Sequence, residues 1–417
     1  MNNETKKGKL VPELRFPGFG GEWEVKRLGE IADRCNFRNK DKAETRVLTN
    51  SATEGVVDQN AYFDKDIAVK ENTDNYHIVD RDDFVYNPRI STSAPVGPIS
   101  RNKLGRGIMS PLYSVFRFKS ENIDYLEHFF STTLWHKYLK QVANYGARFD
   151  RMAISTEDFY AMPIFVPSLP EQQKIAECLS SVDDLIQAEA DQLQALKDHK
   201  KGLMQQLFPQ EGEAMPKLRF PGFKGEWEEK KLGDVFKRIT RKNKENNKNV
   251  LTISAQYGLV SQIDFFNKSV AAADVTGYYL LEKGDFAYNK SSSSGNPVGV
   301  IKPLKMYDKG VVSTLYICFR CNNPASISFW EQYFNAGCLD AEIRTIAQEG
   351  ARNHGLLNVP TSDFFTLTII APSLPEQQKI AECLSSLDEG IAAQQEKVEA
   401  LREHKKGLMQ KLFPTIN

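Results

Sequence analysis

The sequence predicts an α+β protein: two tandem α/β domains separated by two long helices, which pair as an antiparallel coiled coil in a pseudo-two-fold molecule. Three observations carry this expectation. The chain is an internal duplication: LRFPGF at 14–19 recurs at 218–223, GEWE at 21–24 recurs at 225–228, and PSLPEQQKIAECLSS at 167–181 recurs unchanged at 372–386. HKKGLMQ (199–205, 404–410) and LFP (207–209, 412–414) close each copy. A period of 204 or 205 residues is far too long for a solenoid, so each copy is a domain-sized module. Each copy also ends in a sustained 3.5-residue apolar spacing, the pattern of a coiled-coil seam.

That seam can be followed residue by residue. Alternating steps of four and three from Ile175 reach Leu179, Val182, Ile186, Glu189, Leu193, Leu196, Lys200, Leu203 and Leu207. The second copy gives Ile380, Leu384, Leu387, Ile391, Gln394, Val398, Leu401, Lys405, Leu408 and Leu412. Eight of ten positions are apolar in each, leaving only a narrow stripe to bury, and two such stripes most simply pair with each other. Ser168 and Glu171 read as a capping box with Pro170 in the first turn, and Pro209 and Pro414 mark the stops. The expected boundaries are 1–167 and 211–371 for the globular domains, and 168–210 and 372–417 for the helices.

The globular segments keep a common skeleton while their surfaces diverge. DFVYN (83–87) answers DFAYN (285–289), PVG (95–97) answers PVG (297–299), and SPLYSVFR (110–117) answers STLYICFR (313–320). GAR (146–148) answers GAR (350–352). Short apolar or alternating runs (VVDQNAYFD, DFVYN, YSVFRF; LTISAQYG, DFAYN, LYICFR) predict strands, and Lys26-x-Leu28-Gly29 and Lys230-x-Leu232-Gly233 lead into short helices. Residues 124–142 and 328–347 have helical spacing.

Composition narrows the functional classes. In 417 residues, 41% apolar and 26% charged is the balance of a soluble globular protein, and no run approaches a membrane span. Six cysteines do not make a disulfide scaffold in a chain of this size, so a cytoplasmic location is expected. Net charge is zero, but residues 1–167 carry 24 basic and 23 acidic groups and 214–371 carry 20 and 15, so the globular parts sum to +6 and the helices to −6. That permits phosphate contacts by the globular parts.

Catalytic motifs fail on inspection. FPGFG (16–20) imitates the F-x-G-x-G loop of adenosylmethionine-dependent methyltransferases, but no apolar strand precedes it and its repeat reads FPGFK. YNPR (86–89) lacks the second proline of an N-P-P-aromatic loop, and its repeat is YNKS. Cys318-x-x-Cys321, with Cys338 and His354 downstream, reads as buried thiols because Val115 and Phe118 stand there in the first copy. No phosphate-cradling loop or H-E-x-x-H is present, so no cofactor and no metal are expected, and a non-catalytic binding protein is favoured.

Two variable domains, each ending in P-x-L-P-E-Q-x-x-I before a long heptad helix, resemble the specificity subunit of type I restriction–modification systems. The residues are Pro167, Leu169, Pro170, Glu171, Gln172 and Ile175, repeated as Pro372, Leu374, Pro375, Glu376, Gln377 and Ile380. The RFPGF…W…K-x-L-G and GAR segments are similar to that family too, so the resemblance covers nearly the whole chain. It implies two target recognition domains, each reading half of a bipartite double-stranded DNA sequence, and two spacer helices. It also implies partners: two modification (methyltransferase) subunits, and restriction/translocase subunits through the complex, with the methyl donor and the nuclease motor on those partners. The competing readings are a single-chain methyltransferase or restriction enzyme, which lacks its motifs here, and a coiled-coil scaffold that binds no DNA.

The family supplies no base-contacting residues, so chemistry must nominate them. Arg suits guanine and Asn or Gln adenine, while Lys, Arg and Ser position phosphates. The candidates are the loop after DFVYN (Arg89, Ser91, with Thr92 and Ser93), its counterpart Lys290, Ser291 and Ser292, and the GAR loops with Arg148 and Arg151, then Arg352, Asn353 and His354. The basic loop of Arg101, Lys103 and Arg106 completes the set, with Arg241, Lys242 and Lys244 as a further basic run in the second copy.

Overall fold

A computed structural model describes residues 10–62, 73–119, 121–144, 150–254, 257–266, 274–293, 295–349 and 355–414. The chain divides into two compact units, one of residues 1–189 and 397–417, the other of residues 190–396. The long helices run Leu169–Leu207 and Leu374–Leu412, so each unit contains a globular part, the first half of the helix that follows it, and the last part of the other helix.

In the first unit, a four-stranded antiparallel sheet has the order Ala32–Arg34, Ser114–Phe118, Phe84–Tyr86, Ile99–Arg101. Strand pairs Leu48–Ser51 with Gly55–Asp58, His77–Val79 with Gly107–Met109, and Glu24–Arg27 with Pro163–Val166 surround it. The second unit repeats the order with Phe236–Arg238, Ile317–Cys321, Phe286–Asn289 and Val300–Pro303. The aspartate of each DF pair explains why that pair is shared. Buried Asp83 accepts from the Arg117 Nε at 2.6 Å and the Asp80 N–H at 2.8 Å; buried Asp285 accepts from the Arg320 Nε and, at 2.7 Å, the Glu282 N–H.

The near-identical sequence blocks meet at the root of each globular part. Both oxygens of Glu171, a carboxylate only 2% exposed, accept from the Arg15 guanidinium at 2.7 Å. Arg219 and Glu376 repeat the fork at 2.8 and 2.7 Å. Glu171 therefore spends its carboxylate on Arg15 rather than on the capping-box bond that its spacing suggests. Gln172 does the local work, donating to the Pro167 carbonyl and accepting from the Asn122 N–H. Trp23 packs edge-on against Phe413, which stacks on Tyr125 at 5.6 Å, and Phe208 meets Trp227 in the second unit. The Leu14 N–H donates to Lys411 O, and the Leu218 N–H to Gln206 O. Burying these aromatic faces and seam leucines is the main favourable term holding each helix end to its domain.

Three expectations need correction. Residues 124–142 are not one helix but two, Ile123–Phe130 and His136–Val142. Ser131 and Thr132 turn their hydroxyls back onto the Glu127 and Phe129 carbonyls and end the first. Residues 328–347 split likewise into Ile327–Asn335 and Asp340–Ile346, around Gly337 at φ 77°. The run VVDQNAYFD holds the strand only to Asp58, and Gln59–Tyr62 form a helical turn.

The first unit carries three histidines whose burial pushes their pKa down: His77 to about 4, His136 to about 4, and His128 below 6.5, the last also depressed by Lys405. The unfolded chain binds these protons near pH 6.5 and the folded chain only at lower pH. The unfolded state therefore holds more protons between about pH 4 and 6.5, and stability is lost as pH falls through that window, at up to about 1.4 kcal/mol per histidine per pH unit. Thermal melts at pH 7.5 and 5 should show a lower Tm at pH 5. His128→Gln, which places there the residue that the second copy carries at Gln332, should shrink the difference.

Candidate nucleic-acid interface

The loop after the strand Phe84–Tyr86 is built by local chemistry. The Asn87 Oδ1 accepts from the Arg89 N–H at 3.1 Å, turning the chain, and Asn289 does the same for Ser291. The Tyr86 hydroxyl donates to the Val96 carbonyl and the Tyr288 hydroxyl to Val298, closing each loop from below. Gly97 and Gly299 sit at φ 79° and 87°, and a Cβ on either would lie 2.0 or 2.2 Å from the carbonyl oxygen of Asn87 or Asn289. Only glycine fits both demands. Gly299→Ala should therefore displace the second loop, lowering Tm by the equivalent of about 1–3 kcal/mol and weakening binding to one half-site.

The fold sets the loop after each DF strand beside the residues that follow the GAR segment, Asp150–Met152 in the first unit and Gly355–Leu357 in the second. Arg89 bridges to Arg151, the Ile90 N–H donates to Asp150 O, and the Met152 N–H donates to Pro88 O. In the second unit Ser291 bridges to Leu356, the Ser292 N–H donates to Gly355 O, and the Leu357 N–H donates to Lys290 O. Arg89, Ser91, Thr92 and Ser93 are exposed, Arg151 is half-buried beside Asp150, and Ser291 is exposed with Ser292 half-buried. Burial lowers the pKa of Lys290, so an incoming anion there would relieve a desolvated charge. Arg148, Arg352, Asn353 and His354 lie outside the described residues.

The remaining nominees stand apart. In the ribbon formed by Phe84–Tyr86 and Ile99–Arg101, Arg101 is level with Phe84, at the end opposite the Arg89 loop. Its guanidinium is 12% exposed and paired with Asp82, Asp124 and Glu127. Lys103 pairs with Glu127 at 2.6 Å and Arg106 with Asp80 at 3.3 Å. Arg241 pairs with Glu282, and Lys242 lies over the Tyr279 ring, 4.2 Å from its centroid. Arg101, Lys103, Arg106 and Arg241 are thus neutralised by carboxylates, whereas Arg89, Ser91 and Ser291 are exposed on the paired loops.

Cys318 and Cys321 are buried, and burial pushes the Cys318 thiol up to about 12. Among the described residues, no group of three or more His, Cys, Asp or Glu is arranged to hold a metal. No helix among them is long and apolar enough to cross a membrane.

Sequence reading missed two further sets of residues. One is the Arg15–Glu171 and Arg219–Glu376 forks, whose partners are about 156 residues apart. The other is a pair of lysines on the long helices. Lys200 Nζ donates to Asp388 at 2.6 Å, and Lys405 Nζ donates to Asp183 at 2.5 and 2.7 Å. Their signal was already visible: both seams break with lysine at the same position.

The type I restriction modification DNA specificity domain matches residues 20–198 and again 224–403. The chain belongs to that family and carries its domain twice. Among similar proteins is the MjaVIII type I restriction enzyme specificity subunit of Methanocaldococcus jannaschii, 26% identical, with 97% of this chain and 94% of the relative covered. Two solved structures share the fold. One is the type I restriction–modification S subunit from M. genitalium, with a TM-score of 0.55 at 11% identity, covering 98% of this chain and all of that one. The other, from work on complex assembly and conformational transition of the type I R-M system, has a TM-score of 0.54 at 15% identity, covering 97% and 99%.

Proposed function

We propose that this chain is the sequence-specific DNA-binding specificity subunit of a type I restriction–modification complex. Each globular domain reads one half of a bipartite duplex target. The observation that carries this reading is the doubled loop pair: Arg89 beside Arg151, and Lys290–Ser292 beside Gly355, built on the same strand end in both units. Arg89 and Arg151, with Arg148, Arg352, Asn353 and His354 near them in sequence or in its repeat, supply donors for base edges and phosphates; Ser91, Lys290, Ser291 and Ser292 add phosphate donors. Arg101, Lys103 and Arg106, paired with carboxylates at the opposite end of the strand ribbon, add to the long-range field rather than to base readout.

The functional modules are residues 1–167 and 211–371 as recognition domains and 168–210 and 372–417 as spacer helices. The helices pair as an antiparallel coiled coil with pseudo-two-fold symmetry. Within the first unit, Asp183 meets Lys405 and Glu189 meets Lys397, so partner numbers fall along one helix as they rise along the other. The chain itself is non-catalytic and cytoplasmic. It docks two modification subunits and, through the complex, the restriction/translocase subunits, which supply methyl transfer and cleavage.

Purified alone, the chain should neither methylate nor cleave duplex DNA; methyl transfer without a partner would refute this. In an electrophoretic shift with the modification subunits, Arg89→Ala should weaken binding at one half-site, by about 1–3 kcal/mol if Arg89 reads a guanine. Unchanged binding by Arg89→Ala and Lys290→Ala together would move the readers away from these loops, and no shift of any duplex by the unmutated chain with its partners would favour a scaffold that holds no DNA.

A further inference from the structure

The two long helices carry matching apolar seams and share 26 of 39 residues, so hydrophobic burial alone cannot tell one orientation of pairing from another. Both seams nevertheless carry a lysine at the same place, Lys200 and its repeat Lys405, where burial of an apolar side chain would otherwise be expected. These lysines are only 12% and 20% exposed. Each is neutralised by an aspartate of the other helix, and the two aspartates, Asp388 and Asp183, are themselves repeat equivalents. Asp388 is also tied to its own globular part, because the Gln332 Nε2 donates to its second oxygen at 2.8 Å. In the first unit the equivalent residue, buried His128, reaches Ser180 of the long helix at 3.2 Å.

We propose that Lys200–Asp388 and Lys405–Asp183 are positioning pairs that fix the direction and register in which the two helices meet, and with them the placement of each recognition domain. A parallel, in-register pairing sets equivalent positions opposite each other: Lys200 against Lys405 within the seam, and Asp183 against Asp388 beside it. Two like-charged pairs, one largely desolvated, oppose that arrangement. The antiparallel register instead sets each lysine opposite an aspartate, twice. A one-heptad slip keeps leucines on leucines but leaves both lysines without their carboxylates. A single polar residue in a coiled-coil seam is the best-attested device for choosing register at some loss of stability, and here it is used in a self-complementary pair.

This inference rests on the helix pairing proposed above, and its test separates the two. Two double variants of the full chain have identical composition. Lys405→Asp with Asp183→Lys reverses one pair and keeps it matched. Lys200→Asp with Asp183→Lys leaves aspartate facing aspartate and lysine facing lysine in the antiparallel register, but opposite charges facing in the parallel one. Lys405→Asp alone should lower Tm by about 5–10 °C. The matched double should recover most of that loss. The mismatched double should melt lower still and self-associate in sedimentation velocity. Coincident Tm values and sedimentation for the two doubles would overturn the proposal. Leu196→Asp, at an adjacent seam position, locates the fault: if it lowers Tm while the doubles coincide, the helices pair but the lysines do not set their register. If it leaves Tm unchanged, the pairing itself is wrong and the inference falls with it.

Discussion

Replacing Arg15 by alanine should be among the most damaging single changes in the chain. Glu171 is 2% exposed and gives both oxygens to Arg15, so removing the guanidinium leaves a carboxylate buried without its counter-ion. Breaking a buried pair from one side typically costs about 3–5 kcal/mol, which for a unit of some 200 residues is on the order of 10 °C in Tm. Arg219→Ala should behave alike in the second unit, since Glu376 is equally buried. The pair itself need not be strongly stabilising. Replacing both Arg15 and Glu171 by methionine removes both charges and should recover much of the loss. A double variant as unstable as Arg15→Ala would mean that the fork matters for its geometry, including the Arg15 bonds to the carbonyls of Gly20 and Gly21, rather than for charge balance.

The duplication, the two long helices and the short helices at K-x-L-G were all legible in sequence because each is a local pattern of period or identity. The structure carries the long helices as Leu169–Leu207 and Leu374–Leu412, and the short ones as Leu28–Ile31 and Leu232–Val235. What was hidden depends on partners distant in sequence. Arg101, Lys103 and Arg106 look like an uncompensated basic loop until Asp80 and Asp82, in the turn before the strand Phe84–Tyr86, and Asp124 and Glu127, on the helix Ile123–Phe130, are brought to them. The break at Ser131–Trp135 was hidden because apolar spacing runs straight through it, while two hydroxyls bonding backwards decide the matter. The identity of LRFPGF, GEWE, LFP and P-E-Q in both copies was plain, yet its reason is three-dimensional: the Trp of GEWE meets the Phe of LFP, and the Glu of P-E-Q meets the Arg of LRFPGF.

The second large effect concerns distance. If the helices pair antiparallel, their length sets the gap between the readers. The seam from Ile175 to Leu207 spans roughly 50 Å at about 1.5 Å per residue, enough to span the ~34–36 Å between half-sites one duplex turn apart. Adding one heptad to each helix keeps the leucines in phase and lengthens the pair by roughly 10 Å, or ~3 base pairs at about 3.4 Å each. The unread spacer of the target should grow accordingly with both half-sites unchanged. A displacement of ~3 pairs also turns one half-site by about a third of a turn around the duplex, so affinity should fall. An active variant with an unaltered spacer would remove the helices from the role of ruler.

The central claim is that two independent readers share one frame, and exchange of a reader tests it most directly. Residues 14–166 would be replaced by the first domain of another family member, keeping the arginine that pairs with Glu171. Methylated sites would then be mapped across the genome of a host expressing the chimera with its modification subunits. The account predicts a new sequence in one half of the target, with the other half unchanged. A target altered in both halves, or in neither, would contradict it.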